Sequence, residues 1–381
     1  MSGATGQMIA GLLDEAEQAD MCLVCRSDGL HKALRRRVAA GELVMPWPQL
    51  FARATTWERF KPDERACRLL ISLNELHPDW VFCGPSAAVL QGLSVSWELL
   101  DTVHVAVPPG SGGCSPRALR RHVTSDIEPD QARGVPVTPL LRTAFDCARW
   151  LSFREGLAVA DSALRVGGLP KEELVEYVDE MGGGFHGIAQ ARMTVTHADG
   201  RSENGGESIA RAAMWELGFA MPDLQVEVPS PFSGSGLYRV DFRWRLADGA
   251  EVYGEHDGNE KYLNPQMNGG SPLAAMKGER RRESGLTVAH ASVMRFSPAD
   301  VADTEYFDWL LRYYGIPRER EPLIAVPAPD AILVPELPTI ELVPVEAYGL
   351  DGPVVRGAPY SGGANRRFSR LRGTKTSICS T

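Results

Sequence analysis

Four residues between positions 207 and 261 have the types and the order that phosphodiester hydrolysis requires: the carboxylates Glu207, Asp241 and Glu255, and the cation Lys261. A magnesium-dependent phosphodiesterase brings two or three carboxylates to one hard cation, which keeps several of its waters. A nearby positive side chain then stabilises charge developing on the phosphate and positions the attacking water. Each acid alone has an ordinary explanation. Glu207 suits the first turn of a helix through the helix dipole, and Asp257-Gly258 is a common turn pair. Asp241 is harder to explain away, because it stands between Val240 and Phe242 and a buried unpaired carboxylate is expensive. Only the ordered set of acids, taken together, points to a site.

The elements that must position these residues follow from hydrophobic spacing. SENGGESIARAAMWELGF puts Glu203 and Glu207 four apart on one helix face, ahead of apolar Ile209, Ala213, Met214 and Leu217. LQVEVP reads as a strand, and YRVDFRW as an alternating strand that carries Asp241. EVYGEHDG is a third strand, with Glu255 and Asp257 at its end. A helix (SPLAAMKGERRRESG) and an apolar strand (LTVAHASVMRF) complete the order α, β, β, β, α, β. Acids at the ends of neighbouring strands can converge in space despite their separation in sequence. The late helix also carries Lys277 and Arg281 within a basic cluster, which suits a nucleic-acid backbone approaching a metal site. Glu279 and Glu283 dilute that charge, as they would on a solvated helix face.

This stretch resembles the PD-(D/E)xK superfamily of restriction-like nucleases, and in particular a Vsr-like domain of unknown function. The matching residues are Glu207 on the first helix, Asp241 in R-V-D-F, and Glu255 in E-x-D-G-x-x-K-Y. Asp257 and Lys261 fill the later positions of that last motif. The resemblance implies a Mg2+ (or Mn2+) ion held by Glu207, Asp241, Glu255 and Asp257, with Lys261 as the catalytic cation. One departure stands out. A strict (D/E)xK motif has lysine where this chain has Asp257, so Lys261 or Lys277 must supply the charge from elsewhere.

Upstream, residues 7–19 have helical spacing, a turn falls at Ser27-Asp28-Gly29, and His31 to Ala40 form a basic helix stopped by Gly41. ELVMPWPQLFARA then reads as two extended pieces split by a Pro-Trp-Pro turn. Helix, turn, basic helix and hairpin outline a winged helix-turn-helix. Three consecutive arginines point in different directions on a helix, so at most two can serve one surface. Arg35 and Arg36 are assigned to DNA phosphates, against the plainer reading of a solvated face. Farther on come ERACRLLISLNELHP as a helix, Trp80 to Cys83 as an extended piece, SAAVLQGL as a helix, and DTVHVAVP, ALRRHVTS and GVPVTP as strands. PLLRTAFDCARWLSFREGLAVADSALR holds two amphipathic helices.

GPSAAVLQGL, DTVHVAVP and GVPVTPLLRTAFDCARWL, with Asp161 on the next helix, resemble the actinobacterial relatives of AbiEi-type antitoxins of type IV toxin-antitoxin systems. The similarity spans residues 7 to 165, and such proteins join a winged helix to an α/β domain. It implies DNA binding rather than catalysis for this half, and a cognate toxin as partner. His104, in an alternating strand, and Asp146, within ion-pair reach of Arg142 or Arg149 on its helix, are accordingly left out of the site.

The whole chain has 381 residues, 44% hydrophobic and 23% charged, with a formal net charge of -9. That balance fits a multidomain globular protein and excludes a histone-like protein that coats nucleic acid by bulk charge. The seven cysteines show no disulfide spacing, and Cys22 and Cys25 of CLVC, with apolar residues between them, read as buried thiols rather than a metal site. No signal peptide or membrane span is evident, so the expected location is cytoplasmic. A Pro-rich acidic linker from about residue 319 and a basic arm that includes Arg366 and Arg370 close the chain. The expected architecture is α/β (α+β): a winged helix-turn-helix over residues 1–60, an α/β and helical domain over 61–200, a restriction-endonuclease-like αβββαβ core over 201–316, and a disordered tail over 317–381. Two functions follow: a DNA-binding protein with a metal-dependent endonuclease-like domain in toxin-antitoxin or phage-defence biology, or a noncatalytic transcriptional regulator or antitoxin.

Overall fold

The computed structural model describes residues 3–111, 118–124, 128–229, 237–257, 291–325, 342–343 and 354–355. Residues 1–327 form one compact unit and residues 328–381 a second. Mixed helices and sheets make the chain an α/β protein.

The first unit opens with α1 (Gly3–Gln18), β1 (Leu23–Val24), α2 (Asp28–Ala39), β2 (Leu43–Trp47) and β3 (Leu50–Arg53). The strands form an antiparallel sheet ordered β1-β3-β2. Ile9 and Leu13 of α1, Leu34 of α2, and Leu43 and Phe51 of the hairpin bury against one another. Gly41 (φ +76) takes the left-handed conformation that ends α2. The two helices and the hairpin thus occur in the expected order; the short strand β1 between the helices was not expected, and Pro46 and Trp47 lie in β2 rather than in the turn. Cys22 and Cys25 are buried free thiols, and burial pushes the Cys22 thiol up to about 12.

Next come α3 (Ala54–Trp57), α4 (Pro62–Leu76), β4 (Val81–Phe82), α5 (Gly84–Leu90), β5 (Val103–Val107), β6 (Leu119–Val123), β7 (Asp130–Ala132) and β8 (Val135–Val137). A five-stranded sheet ordered β6-β5-β4-β8-β7 buries Phe82, Val103, Val105 and Val137 against Leu70 and Leu73 of α4 and Ala87 and Leu90 of α5. His104 of β5 does not alternate outward. It is buried, shares a 3.0 Å hydrogen bond with His122, and His122 stacks on Trp150.

Four helices follow: α6 (Leu140–Trp150), α7 (Phe153–Arg165), α8 (Lys171–Glu180) and α9 (Ile188–His197). Ser152 starts α7 through a capping box with Glu155. On α6, Asp146 pairs with both Arg142 (2.8 Å) and Arg149 (2.7 Å), so its carboxylate is structural.

The last part of the unit contains α10 (Gly205–Glu216), β9 (Asp223–Pro229), β10 (Leu237–Arg245), β11 (Glu251–His256), β12 (Ala291–Phe296), α11 (Pro298–Ala302) and α12 (Thr304–Tyr313). The sheet is ordered β12-β11-β10-β9; β9, β10 and β11 run as an antiparallel meander, and β12 is parallel to β11. Ala213, Met214 and Leu217 of α10 pack with Phe242, Trp244, Met294 and Phe296 of the sheet and Phe307 and Leu311 of α12. A side chain of that size contributes about 1.5–3 kcal/mol when fully buried, so this apolar face is what holds α10 on the sheet. The 271–285 helix expected between β11 and β12, and the start of the strand LTVAHASVMRF, lie outside the described residues. Pro317 to Leu323 run back along α10, bonded through Pro317 O, Gly218 O and Leu323 N, so the compact unit continues beyond residue 316. In the second unit, β13 (Leu342–Val343) and β14 (Val354–Val355) pair antiparallel. The basic arm from Arg356 onward lies outside the described residues.

The other side of α10 meets α7. Arg211 reaches Asp161 at 2.6 Å, and Asp161 also accepts from the Asp199 amide at 2.7 Å. Asp161 is 0% exposed, so its pair with Arg211 holds the helical layer to the last sheet through a buried charge contact. Asp161→Ala would leave a buried guanidinium without its countercharge, and the expected cost is roughly 3–5 kcal/mol. The measurement is a denaturant melt of both proteins. A loss below about 1 kcal/mol, the scale of an exposed pair, would contradict this role.

Candidate active site

The site is built where the N-terminus of α10 crosses the sheet. Asn204 caps the helix, its side chain accepting from the Glu207 amide at 3.0 Å. This cap corrects one expectation. Glu203 precedes the helix instead of sharing a face with Glu207, and it pairs with Arg239 at 2.7 Å. Gly206 lies so close to the sheet that a Cβ there would sit 2.3 Å from His256 Cε1. A glycine at 206 therefore lets the helix end rest on the ring of β11, and that approach sets where Glu207 stands.

Glu207 is 3% exposed. Its carboxylate accepts three hydrogen bonds: from Glu203 N (2.7 Å), Asn204 Nδ2 (2.6 Å) and Gln225 Nε2 (3.0 Å). Burial nevertheless pushes its carboxyl up to about 7, and the neighbouring Asp241 carboxylate pushes it the same way. Hydrogen bonds from the Glu203 amide and from Gln225 oppose that rise without cancelling it.

Asp241 lies within β10 rather than at its end, where it is half-buried and accepts the His256 amide at 2.9 Å. The expected partner of this acid thus includes a backbone amide. Val226 faces Val240 and Leu224 faces Phe242, so the register sets Asp241 opposite Gln225. On the other side Phe242 faces Gly254, which sets Asp241 opposite Glu255. Glu255 in turn pairs with Arg295 of β12. Gln225, Asp241, Glu255 and Arg295 thus form one row across four strands, with Asp241 close enough for its charge to be felt by Glu207. Glu255 is buried, on a strand whose residues from Val252 to His256 are all buried.

Asp257 follows a different course. Its Oδ2 meets Arg295 Nη1 at 2.9 Å, so its charge is already balanced by a cation. Lys261, Lys277 and Arg281 lie outside the described residues. Among the described residues no group of three or more His, Cys, Asp or Glu is placed to hold a metal ion. Glu207 and Asp241 do fit the chemistry of a hard cation: the Asp241 carboxylate adds to the cost of ionising the buried Glu207, and a divalent ion removes that cost. Asp257, held by Arg295, does not fit in the same way.

Sequence reasoning missed Gln225, Arg295 and Gly206. The Gly205-Gly206 pair opening a helix was a readable sign of close approach. Far from this sheet, Arg35 and Arg36 are exposed on α2, whereas Arg37 turns toward Glu42 at 3.7 Å.

A folded-state carboxyl near 7, above its unfolded value of about 4.3, means that folding is favoured most below that unfolded value. Stability contributed by this group falls as pH rises toward 7 and levels off above it. Carbon NMR of labelled glutamate should show a Glu207 midpoint near pH 7, moving down in Asp241→Asn. An unchanged midpoint in the variant would contradict the coupling of the two acids.

The chain is 32% identical over 186 residues to an uncharacterized protein of Mycobacterium tuberculosis strain H37Rv, and equally to its counterpart in strain CDC 1551. The match covers 48% of this chain and 66% of each relative, so the chain spans just under two thirds of the curated relatives it matches. No protein-family model matches the chain. No solved structure matches it at a significant level.

Proposed function

We propose that this protein is a DNA-binding, metal-dependent endonuclease of the restriction-like type, with Glu207, Asp241 and Glu255 at its centre. The observation that carries this reading is the buried Glu207 carboxyl, displaced to about 7 and pushed in part by Asp241, on a helix end fixed over the sheet row that continues to Glu255. A strongly displaced acid with a specific charged neighbour is a functional-site candidate.

In this proposal Glu207 and Asp241 hold Mg2+ or Mn2+, and Glu255 stands next to Asp241 to bind a ligand water or to take its proton. The bound ion would polarise the phosphate and lower the pKa of the attacking water. The three donors to Glu207 fix its carboxylate before any substrate arrives, which limits reorganisation at the moment of reaction. Arg295 holds Asp257 aside. Lys261 is assigned the role of steadying the attacking water and the charge on the phosphate. Arg35 and Arg36 of α2 would meet the DNA backbone, joined by Lys277 and Arg281. The proposed setting is the cytoplasm, in toxin-antitoxin or phage-defence biology with a cognate toxin as partner. Among the described residues no helix is long and apolar enough to cross a membrane.

One observation favours a second reading. Asp257 stands where a strict nuclease motif has lysine and is occupied by Arg295, which suits a noncatalytic transcriptional regulator or antitoxin whose nuclease-type fold only binds. Plasmid incubated with the full chain and Mg2+ or Mn2+ separates the two. The wild type is expected to cut, and Asp241→Ala to lose activity by at least about a hundredfold, as when a group that stabilises the transition state is removed. Equal rates would sink the catalytic reading. Arg35→Ala and Arg36→Ala are each expected to weaken binding uniformly across DNA sequences and to reduce the salt slope by about 1. An unchanged slope would remove α2 from the interface.

A further inference from the structure

Gln225 is the residue of this region whose conformation and bonding the account above leaves unexplained. It lies in β9 with φ +51, in the left-handed region that side chains other than glycine seldom adopt. Strain of this kind persists where surrounding structure over-determines it. Its Nε2 donates to Glu207 Oε2 at 3.0 Å. Its Oε1 is buried and has no hydrogen-bond partner among the described residues. Buried amide oxygens are nearly always satisfied. The register places the residue directly opposite Asp241. Among the described residues, an oxygen acceptor with no donor thus sits on the amide that touches Glu207 and faces Asp241 across the strand pair.

We infer that Gln225 supplies a neutral oxygen ligand, through Oε1, to a divalent cation shared by Glu207 and Asp241. This deepens the proposed function and rests on it. Hard cations take amide carbonyl oxygens as readily as they take water, and commonly use only one or two carboxylates. A set of Glu207, Asp241 and Gln225 therefore needs no third acid, consistent with the absence of a three-acid group among the described residues. The amide also has a fixed sense. Its nitrogen must face an ionised Glu207, because both Glu207 oxygens are acceptors, and this leaves Oε1 as the amide atom able to coordinate. Gln225 then has two roles on one group: it orients Glu207 and coordinates the ion. The strained backbone brings the side chain into position for both.

The test is Mn2+ binding to the full chain by titration calorimetry, alongside melting temperatures with and without Mn2+. Gln225→Leu should weaken Mn2+ binding by at least roughly tenfold, the scale on which metal sites lose affinity when a supporting contact is removed. Gln225→Glu removes the donor to Glu207 and puts a third carboxylate beside it. It should melt below the wild type without metal, bind Mn2+ at least as tightly as the wild type, and gain more melting temperature from Mn2+. A residue that only braces Glu207 would make both variants melt lower and leave Mn2+ affinity in Gln225→Glu equal to that in Gln225→Leu. That result, or equal Mn2+ affinity in wild type and Gln225→Leu, overturns the inference. If the wild type binds no Mn2+ at all, the proposed function itself fails, and this inference with it. If Gln225→Leu does not fold, the Gln225→Glu comparison decides alone: tighter or equal binding than wild type supports the ligand role, and weaker binding refutes it.

Discussion

The structure turns on a carboxylate that is buried at the start of a helix, next to another carboxylate. Glu207 gains three hydrogen bonds and the favourable end of the α10 dipole, and both should lower its pKa. It is nevertheless displaced to about 7, because loss of water and the nearness of Asp241 outweigh those gains. A fold adopts so costly an arrangement only if neighbouring contacts enforce it. Here the enforcement is visible on both sides of the helix. Met214 and Leu217 bury against Phe242 and Phe296. Arg211 pairs with Asp161 of α7. Between them they pin α10 so that the bare Gly206 rests on His256 and Glu207 cannot swing into solvent.

The same anchoring explains why the last sheet does not stand apart from the rest of the first unit. The Asp161–Arg211 pair and the return of Pro317 to Leu323 along α10 tie the site's helix to the layer before it and to the chain that follows. A shift of α7 would be felt at Glu207 through one rigid helix.

Much of this was legible in the residues. Alternation in YRVDFRW identified β10 and singled out Asp241, because period-two patterning fixes which residues a half-buried strand turns inward. Apolar spacing after Glu207 identified α10. The basic helix and hairpin near the start followed from spacing and from Gly41. What the sequence hid were contacts that depend on cap choice or on long-range register. Asn204 caps α10, and that choice removes Glu203 from the helix face. Arg295 meets Asp257 from 38 positions away in the sequence, through a parallel pairing that no local pattern encodes. Gln225 is one of two polar residues in LQVEVP, with nothing local to set it apart from Glu227. Its significance lies in a backbone angle and an unpartnered oxygen, neither of which has a sequence signature.

The central claim is that Glu207 and Asp241 share one divalent cation. A crystal of the full chain soaked in Mn2+ and measured at the manganese absorption edge tests it directly. The expected result is one anomalous peak within about 2.3 Å of a carboxylate oxygen of each residue, a normal distance for a hard cation on oxygen. A fully soaked crystal with no peak between those two carboxylates, or with manganese bound only at Asp257, would contradict the account.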